Sequence, residues 1–383
     1  MSLSIGIEVT AAVRQGGGIG RYTRELLRAL AERQDDIRYR LFYASPAPIP
    51  HPLPPFPAHF TTRHLPFHDI WLARLWHRAR VPLPVQACTG AVDLYHSPDF
   101  TLPPVLGKIP TLLTVHDLSF VRDPASAAPG LRAYLNQVVP RSVARATHIL
   151  ADSQATKDDL IALYNTPHDK VTVLYSGVTA DFTPVQDPAR LQAVRAKYGL
   201  GEAPFALAVS TLQPRKNFTR LIQAFDQALR HQPANLVICG GKGWLYDEIF
   251  AEVQARGLGE RVLFPGFVAD EDLPALYSAA RLFAYPSLYE GFGLPLLEAM
   301  ACGSVVLTSQ ANCLPEVAGN AAYLADPLDV NALADALHRL WHEDHLRAQL
   351  RQAGFARARQ FRWQASAAQL VGIYRELAAS RDT

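Results

Sequence analysis

Two carboxylates bracket a glycine-containing loop in the C-terminal half of the chain. Glu290 directly precedes the sequence Gly291-Phe-Gly293, and Glu298 lies one turn into the helix that is predicted to follow. A carboxylate offers two acceptor oxygens and therefore suits the vicinal hydroxyls of a sugar or a ribose. The spacing alone leaves a second interpretation open, in which one Glu caps its own helix and the other lies on a solvated face.

The elements around this loop make it a candidate anion site. The apolar run from Arg281 to Pro286 predicts a buried strand, and Pro295 fits the first turn of a helix that ends near Gly303. A strand, a glycine loop and a helix in this order present backbone N–H groups at the positive end of a helix dipole. The stretch could therefore hold a phosphate by its backbone and hydroxyls by its two acids.

Two cations occupy a comparable position earlier in the same half. Arg215 and Lys216 follow the predicted strand Phe205 to Ser210 and precede a predicted helix that begins at Phe218. Arginine matches phosphate with a planar fork, and lysine acts as a mobile point charge. Cations at such a turn can stabilise negative charge that develops on a bound phosphate more in the transition state than in the ground state. For an isolated Arg-Lys pair, a solvated turn is the alternative.

The N-terminal half begins with a similar pattern. A strand is predicted from Ser4 to Thr10, a glycine loop from Gly16 to Gly20, and a helix from about Arg21 to Arg33. This order again predicts an anion site. It is not a dinucleotide fingerprint, because Tyr22 and Thr23 stand where the third glycine belongs. A tight turn that requires a positive φ is the alternative.

Polar residues end two further predicted strands of this half. His116 and Asp117 close the strand that begins at Thr111, and His96 and Asp99 close the strand before it. In an open parallel sheet, the ligand crevice lies at the carboxyl ends of the strands. Histidine suits proton transfer or hydrogen bonding near neutral pH. A histidine after a strand is also often structural, and we keep that interpretation for His96 and Asp99.

The segment from Glu290 to Glu298, with Gly-Phe-Gly-Leu-Pro between them, resembles the Glu-x7-Glu motif of retaining glycosyltransferases of family 4. The resemblance extends over nearly the whole chain. It implies an α/β architecture of the GT-B type, in which two Rossmann-like domains face a central cleft. Residues 1–180 would form the acceptor-binding domain and residues 181–362 the nucleotide-sugar-binding domain, with a helix over 363–383 that crosses back to the N-terminal domain.

The resemblance also implies roles for individual residues. The implied catalytic set is His116, which would contact the donor sugar, Arg215 and Lys216, which would stabilise the departing diphosphate, and Glu290, which would bind sugar hydroxyls. Glu298 would bind the ribose. The full set implied for donor binding is Gly17, Gly18, Gly20, Asp117, Gly266, Phe267, Val268, Gly291, Phe292, Gly293, Leu294 and Glu298.

By the same resemblance, the chain would transfer a hexose, with retention, from a nucleotide-diphosphate sugar to a glycan or lipid-linked acceptor. No metal ion or other cofactor is implied. The Val-His-Asp-Leu sequence that contains His116, together with the Arg-Lys-Asn turn at 215–217, is most similar to the mannosyltransferase branch. GDP-mannose is therefore the expected donor. The alternatives are a UDP-glucose-type donor and a non-catalytic protein that binds nucleotide sugars.

Other sites and classes fit the sequence less well. Asp270-Glu-Asp272 matches the metal-binding Asp-x-Asp of another glycosyltransferase fold, but these acids precede a predicted helix and are expected to cap it. The glycines around Lys242 lack the spacing of a P-loop. A sugar phosphorylase would need a lysine-bound pyridoxal phosphate, and a nicotinamide oxidoreductase would need the missing fingerprint.

Composition sets the remaining bounds. A chain of 383 residues suggests two domains, and a net charge of +2 gives no general attraction to nucleic acid. The four cysteines are scattered, which disfavours a disulfide framework or a metal site and predicts a cytoplasmic protein. We find no signal-peptide pattern and no apolar run long enough to span a bilayer.

One predicted helix, from Asp69 to Ala79, is both basic and apolar. Packing on its own domain is the simpler interpretation of its apolar stripe. The alternative is peripheral contact with the inner face of an anionic membrane through Trp71 and Trp76, since arginines lie beside the stripe and many acceptors of the resembled family are lipid-linked.

Overall fold

The computed structural model describes residues 2–380, which form two compact units. The N-terminal unit contains residues up to 121, residues 129–177, and the chain from 362 onward. The C-terminal unit contains residues 178–361 together with the short segment 122–128. The chain therefore leaves the N-terminal unit once for a long excursion and returns to it at the end.

The N-terminal unit is built on a seven-stranded parallel sheet in the order β3-β2-β1-β4-β5-β6-β7. Every residue of β5 is buried, as expected for a parallel strand covered on both faces. The strands are β1 (Ser4–Glu8), β2 (Arg38–Ala44), β3 (Phe60–Leu65), β4 (Leu94–Ser97), β5 (Thr111–Val115), β6 (His148–Ala151) and β7 (Val171–Val173).

Helices cover both faces of this sheet. They are α1 (Thr10–Arg14), α2 (Gly18–Ala31), α3 (Ile70–Ala73), α4 (Gln86–Thr89), α5 (Ser119–Arg122), α6 (Pro129–Arg145) and α7 (Gln154–Tyr164). A π-helical turn, Arg74–Arg78, continues α3, and two 3-10 turns lie at Pro124–Ser126 and His168–Lys170.

The C-terminal unit has a six-stranded parallel sheet in the order β10-β9-β8-β11-β12-β13. Its strands are β8 (Phe205–Val209), β9 (Asn235–Cys239), β10 (Val262–Gly266), β11 (Leu282–Tyr285), β12 (Val306–Ser309) and β13 (Ala322–Ala325). Its helices are α8 (Pro188–Lys197), α9 (Phe218–Leu229), α10 (Asp247–Ala255), α11 (Leu273–Ala279), α12 (Leu294–Ala301), α13 (Leu314–Ala318), α14 (Val330–His342) and α15 (Asp344–Ala358). The final helix, α16 (Trp363–Ala379), belongs to the N-terminal unit.

Both sheets have the strand order of a doubly wound fold. The chain builds each sheet outward in one direction and then reverses, between β1 and β4 in the first sheet and between β8 and β11 in the second. Ligands of such sheets bind beyond the carboxyl ends of the strands at the point of reversal. A ligand site in the C-terminal unit is therefore expected among the residues that follow β8 and β11.

Helix α16 is fastened to the N-terminal unit by buried hydrogen bonds. The Tyr374 hydroxyl lies 2.7 Å from Nδ1 of His96, whose Nε2 lies 3.0 Å from the Thr114 hydroxyl. Burial, aided by the nearby His116, lowers the pKa of His96 to about 3, so its ring is neutral. His96 is therefore a structural residue of strand β4, as its position in the sequence suggested.

Several elements differ from the sequence-based expectation. Helix α2 begins at Gly18, so the glycine loop is shorter than predicted. The first strand was predicted to reach Thr10, but it ends at Glu8, and Thr10 begins helix α1. Strand β3 was not predicted. It lies at the edge of the sheet and its central residues are exposed, so it lacks the apolar run that marks a buried strand.

Asp272 occupies the N-cap position of α11, as expected, but its side chain makes no capping hydrogen bond, so that part of the expectation is wrong. It is almost fully buried and accepts from Nη2 of Arg190 at 2.6 Å, from Nζ of Lys197 at 2.6 Å and from the Tyr198 hydroxyl at 2.7 Å. The carboxylate thus joins α8 to the start of α11. Within residues 2–380, no cationic side chain other than Arg190 and Lys197 donates to it.

Replacing Asp272 with Asn should destabilise the protein by about 2 kcal/mol, because charge-assisted hydrogen bonds are lost from a buried position. Chemical denaturation monitored by circular dichroism measures the change. Asp270→Asn is the matched control, since Asp270 is exposed and its replacement should change the free energy of unfolding by less than about 0.5 kcal/mol. Equal effects of the two variants would contradict this account.

Candidate functional site

The turn after β8 presents the two predicted cations. Pro214–Lys216 forms a 3-10 turn, and Asn217 ends it in the left-handed region at φ 61°. The Asn217 amide donates to the carbonyl oxygens of Pro286, at 3.1 Å, and Pro327, at 2.7 Å. Asn217 therefore fixes the turn after β8 against the chain segment that follows β11.

Glu290 lies between the two cations of that turn. Its Oε2 is 2.8 Å from Nη1 of Arg215, and its Oε1 is 2.5 Å from Nζ of Lys216. Lys216 Nζ also donates to the Tyr285 hydroxyl at 3.1 Å, and Arg215 Nη1 donates to the Tyr289 carbonyl at 2.5 Å. The side chains of Glu290 and Lys216 are each only 8% exposed. The three charges form a buried cluster with one positive charge in excess.

The cluster controls the protonation of Glu290. Burial by itself would raise the pKa of this carboxyl, but the neighbouring Arg215 and Lys216 cations outweigh burial and lower the pKa to about 2. Glu290 is consequently ionised throughout the neutral range, and its oxygens act as acceptors.

The loop from Gly291 to Leu294 follows Glu290 and leads into α12. Gly293 has φ +97°, a conformation that favours glycine, and a Cβ atom there would lie 3.0 Å from the Leu314 side chain, which would have to shift to make room. Cys313 donates its thiol to the carbonyls of Glu290, at 3.1 Å, and Phe292, at 3.5 Å. Gly291 and Phe292 are buried, and Leu294 begins the helix.

Glu298, the second acid of the motif, lies within α12 and is 3% exposed. The Tyr277 hydroxyl donates to its Oε2 at 3.2 Å. Tyr277 is itself fully buried on α11. The structure thus places Glu290 and Glu298 on either side of the same loop, each with a fixed orientation.

The loop after β10 contains the residues predicted near the nucleobase. Gly266 has φ +81°, Phe267 is 67% exposed, and Val268 is buried. The amide of Ala269, the next residue, donates to the Tyr198 hydroxyl at 3.2 Å. Because that hydroxyl also binds Asp272, the ion cluster of α8 holds this loop in place.

In the N-terminal unit, His116 lies at the carboxyl ends of three neighbouring strands. Its Nδ1 is 2.8 Å from Oδ2 of Asp152, which follows β6, and its Nε2 is 3.1 Å from the carbonyl oxygen of Pro98, which follows β4. Burial alone would lower the pKa of His116, but Asp152, with further contributions from Asp99 and Pro98, raises it to about 9. Both ring nitrogens of the imidazolium donate to acceptors within this unit.

The remaining predicted residues of this unit have varied surroundings. Asp117 accepts a hydrogen bond from the Ser119 amide at 2.8 Å, at the start of α5. A Cβ atom on Gly17 or Gly18 would meet nothing within 4 Å. A Cβ on Gly20 would lie 1.9 Å from the Gln15 carbonyl oxygen, so the close passage of α2 over α1 requires this glycine. Gly20 is thus explained by packing alone.

Both halves of the chain are similar to known protein families. A family model described as glycosyl transferases group 1 matches residues 192–357, and one described as glycosyltransferase family 4 matches residues 16–182. The O-antigen chain mannosyltransferase B of Escherichia coli is 36% identical over 290 residues, which cover 74% of each chain. The chain belongs to glycosyltransferase family 4.

Two other known proteins are similar to this glycosyltransferase over nearly its full length. The D-inositol 3-phosphate glycosyltransferase of Salinispora tropica is 31% identical over 96% of this chain and 82% of that protein. A sucrose-phosphate synthase from Thermosynechococcus elongatus matches the structure with a TM-score of 0.77 at 24% identity, covering 99% of this chain and 100% of that one. The predicted α/β fold of the GT-B type, with two Rossmann-like domains, is confirmed.

Among residues 2–380, no group of three or more His, Cys, Asp or Glu side chains is placed to hold a metal ion. In the same part of the chain, no helix combines the length and the apolar character needed to cross a bilayer.

Sequence reasoning missed residues that support the charged cluster. The Asn217 side chain donates to the Pro286 carbonyl, and the Tyr285 hydroxyl accepts from Lys216. Cys313 donates to the carbonyl of Glu290 itself. The only available signal was local, since Asn217 directly follows the Arg-Lys pair and tolerates the left-handed region better than most residues. The contacts of Tyr285 and Cys313 depend on tertiary packing.

The low pKa of Glu290 predicts a specific dependence of stability on pH. Because the folded-state pKa lies below the ordinary value of 4.5, the stabilisation is fully present above about pH 4.5 and is lost as the pH falls toward 2. The difference in free energy of unfolding between the wild type and Glu290→Gln should therefore shrink over that window. Urea denaturation at a series of pH values measures it.

Glu260→Gln provides the control for this titration, because Glu260 is exposed. Its free energy of unfolding should differ from that of the wild type by less than about 0.5 kcal/mol. A difference for Glu290→Gln that is flat over the same pH range would show that Glu290 is not held ionised by the two cations.

Proposed function

We propose that this glycosyltransferase moves mannose from GDP-mannose to a glycan or lipid-linked acceptor, with retention at the anomeric carbon and without a metal ion. The observation that carries the proposal is the cluster of Arg215, Lys216 and Glu290 at the point where the strand order of the C-terminal sheet reverses. The name of the Escherichia coli relative, a mannosyltransferase, supports mannose as the sugar.

The positive charge of the cluster fits the leaving group of this reaction. Breaking the bond between the sugar and the diphosphate adds negative charge to the departing phosphate oxygens. Arg215 and Lys216 are already oriented by Glu290 and neighbouring oxygens, so they need little reorganisation when that charge develops. Backbone N–H groups from Gly291 to Leu294, at the start of α12, supply further donors.

The two glutamates would bind hydroxyls on either side of the diphosphate. Each oxygen of Glu290 accepts from one cation, which leaves lone pairs available for donor-sugar hydroxyls. Glu298, whose Oε2 accepts from the Tyr277 hydroxyl, would bind the ribose hydroxyls. Backbone groups of Gly266, Phe267 and Val268 would contact the base.

The glycine turn and histidine of the N-terminal unit complete the proposed donor set. The open surroundings of Gly17 and Gly18 suit close approach of a phosphate, whereas Gly20 acts through packing. His116 would share its Nε2–H between the Pro98 carbonyl and a sugar hydroxyl, and its positive charge would favour the developing anion. Asp117 would serve the donor only through the loop that it stabilises.

In the proposed reaction, the acceptor oxygen forms the new bond to the anomeric carbon on the side from which the diphosphate leaves. The bond between the anomeric carbon and the phosphate oxygen breaks, and the acceptor proton passes to that oxygen. The roles of Arg215 and Lys216 are then electrostatic, and neither has to transfer a proton. A UDP-glucose-type donor fits the same cluster and is the second candidate.

A peripheral membrane contact is proposed for the region around α3. Trp71 is 58% exposed and Ile70 is 48% exposed, and the guanidinium of Arg74 lies 5.1 Å from the Trp71 ring centroid. Trp76 does not join them: it is 5% exposed, and its indole donates to the Leu83 carbonyl at 2.9 Å. The membrane contact expected from both tryptophans therefore rests on Trp71, with anionic lipid as the matching surface.

Replacing Lys216 with Ala should lower the transfer rate by about 10²- to 10³-fold, the usual effect of removing one donor to a developing anion. The measurement is transfer from GDP-mannose to a mannose-containing oligosaccharide. Arg215→Ala should act in the same direction. Lys108→Ala, at an exposed position, is the control and should leave the rate unchanged.

The donor is tested by thermal unfolding of the wild type with GDP, UDP, ADP, GDP-mannose and UDP-glucose, without metal. A ligand at a hundred times its dissociation constant adds about 2.7 kcal/mol of stability. Stabilisation by the guanine nucleotides alone is expected. Stabilisation by the uridine nucleotides alone would replace GDP-mannose with the second candidate.

The role of the cluster is tested separately by the transfer rate. If Lys216→Ala folds and transfers mannose at nearly the wild-type rate, the proposed role of Arg215, Lys216 and Glu290 is wrong.

The membrane contact is tested by sedimentation with phosphatidylglycerol vesicles. Trp71→Ser should reduce binding about tenfold, since burying a large apolar side chain contributes a few kcal/mol at most. Leu328→Ser removes an equally exposed apolar residue from the C-terminal unit and should have no effect. Equal binding of all three proteins, or equal binding to neutral vesicles, would refute the proposed surface.

A further inference from the structure

The C-terminal unit contains a cavity of about 460 Å³ that the proposed reaction does not use. It lies at the amino ends of the strands, since Pro204 directly precedes β8 and Arg281 directly precedes β11. The charged cluster around Glu290 lies at the opposite, carboxyl edge of the same sheet. The lining side chains include four arginines and two acids, namely Arg195, Arg281, Arg347, Arg351, Glu202 and Asp344.

Backbone carbonyls hold the arginines of this cavity in place. Arg195 donates from Nη2 to the carbonyls of Gly201, at 2.7 Å, and Ala203, at 2.8 Å. Arg281 donates from Nη2 to the Trp341 carbonyl at 2.7 Å, and its guanidinium lies over the Trp341 ring. The side chains are therefore oriented before any ligand arrives, which reduces the entropy lost on binding.

These anchoring bonds leave donors unused. Arg351 donates only from Nε, to the carbonyl of Gly303 at 2.8 Å, and within residues 2–380 its two terminal nitrogens have no protein acceptor. The same holds, over that range, for Nη1 of Arg195 and Nη1 of Arg281. Three arginines thus retain N–H groups at the cavity, in the fork geometry that suits phosphate.

The acids do not neutralise the arginines. Four cations face two carboxylates, and Asp344 is already paired with Arg347 and lies 4.0 Å from Arg281. Burial, followed by the like charges of Arg281 and Arg351, lowers the pKa of Arg347. The cavity therefore carries excess positive charge.

A purely structural role explains one of these residues but not the set. Arg347 is buried, and it donates from Nη1 to the carbonyls of Leu340 and Trp341 near the end of α14, where those groups lack helical partners. Arg351 is exposed and uses a single N–H for such a bond. Hydrogen bonds to the carbonyls at a helix end therefore account for Arg347. They do not explain why Arg195, Arg281 and Arg351 line the same cavity.

We propose that this cavity binds a small anion that carries phosphate groups, at a site separate from the donor site. The volume is within the usual range for small-molecule sites, and the excess charge matches a ligand with at least two negative charges. The inference does not rest on the proposed function, because it uses no residue of the Glu290 cluster.

The test is isothermal titration calorimetry of the full-length protein with sodium pyrophosphate. Arg351→Glu should weaken binding by about tenfold or more, because it removes charge-assisted hydrogen bonds and adds a repelling charge. Arg359→Glu is the matched control, since it makes the same charge change at an exposed residue outside the cavity lining and should bind as the wild type does. Arg351→Gln should act in the same direction as Arg351→Glu and provides a second variant if the latter folds poorly.

Lys216→Ala separates this site from the proposed donor site. The donor site can bind pyrophosphate as well, so the cavity is supported by a binding event that Arg351→Glu removes and Lys216→Ala leaves in place. Binding that is lost in Lys216→Ala and unchanged in Arg351→Glu overturns it, as does the absence of any binding to the wild type. The catalytic proposal has a different measure, the transfer rate of Lys216→Ala, so either proposal can fail without the other.

Discussion

The buried group of Arg215, Lys216 and Glu290 is the constraint on which the C-terminal unit depends. It joins the turn after β8 to the loop after β11, the two strands between which the sheet reverses its order. A lysine or a carboxylate buried alone would be costly, so each charge needs the others for the unit to fold. The three side chains together carry an excess of one positive charge. Under the proposed function, the contacts that stabilise the fold would also recognise the diphosphate.

The two units use a common strand order in different ways. In the N-terminal unit, the strand ends are bridged by His116, Asp152 and the Pro98 carbonyl, and the bridging group is a cation held between acceptors. In the C-terminal unit, the bridging group is an anion, Glu290, held between cations. The central groups of the two clusters therefore have opposite charges, although both lie at the carboxyl edge of a parallel sheet.

Local patterns were sufficient to predict alternating strands and helices and the positions of Arg215, Lys216 and Glu290 at turns after strands, whereas the GT-B architecture was implied by the family resemblance. Buried parallel strands produce apolar runs, and glycine and proline mark the turns between them. The direct pairing of Glu290 with the two cations could not be predicted, because the partners are more than seventy residues apart and meet only through the sheet order. Burial of Trp76 and the ion pairs of Asp272 depend on tertiary contacts in the same way.

The position of α16 has a consequence for biosynthesis. Its residues Trp363, Leu370 and Tyr374 are buried in the N-terminal unit, although they are synthesised after the whole C-terminal unit. The amide of Val178 donates to the carbonyl of Phe361, so the two ends of the segment 178–361 meet within the C-terminal unit. The N-terminal unit therefore has to keep the surface that receives α16 uncovered while the residues of the C-terminal unit emerge from the ribosome.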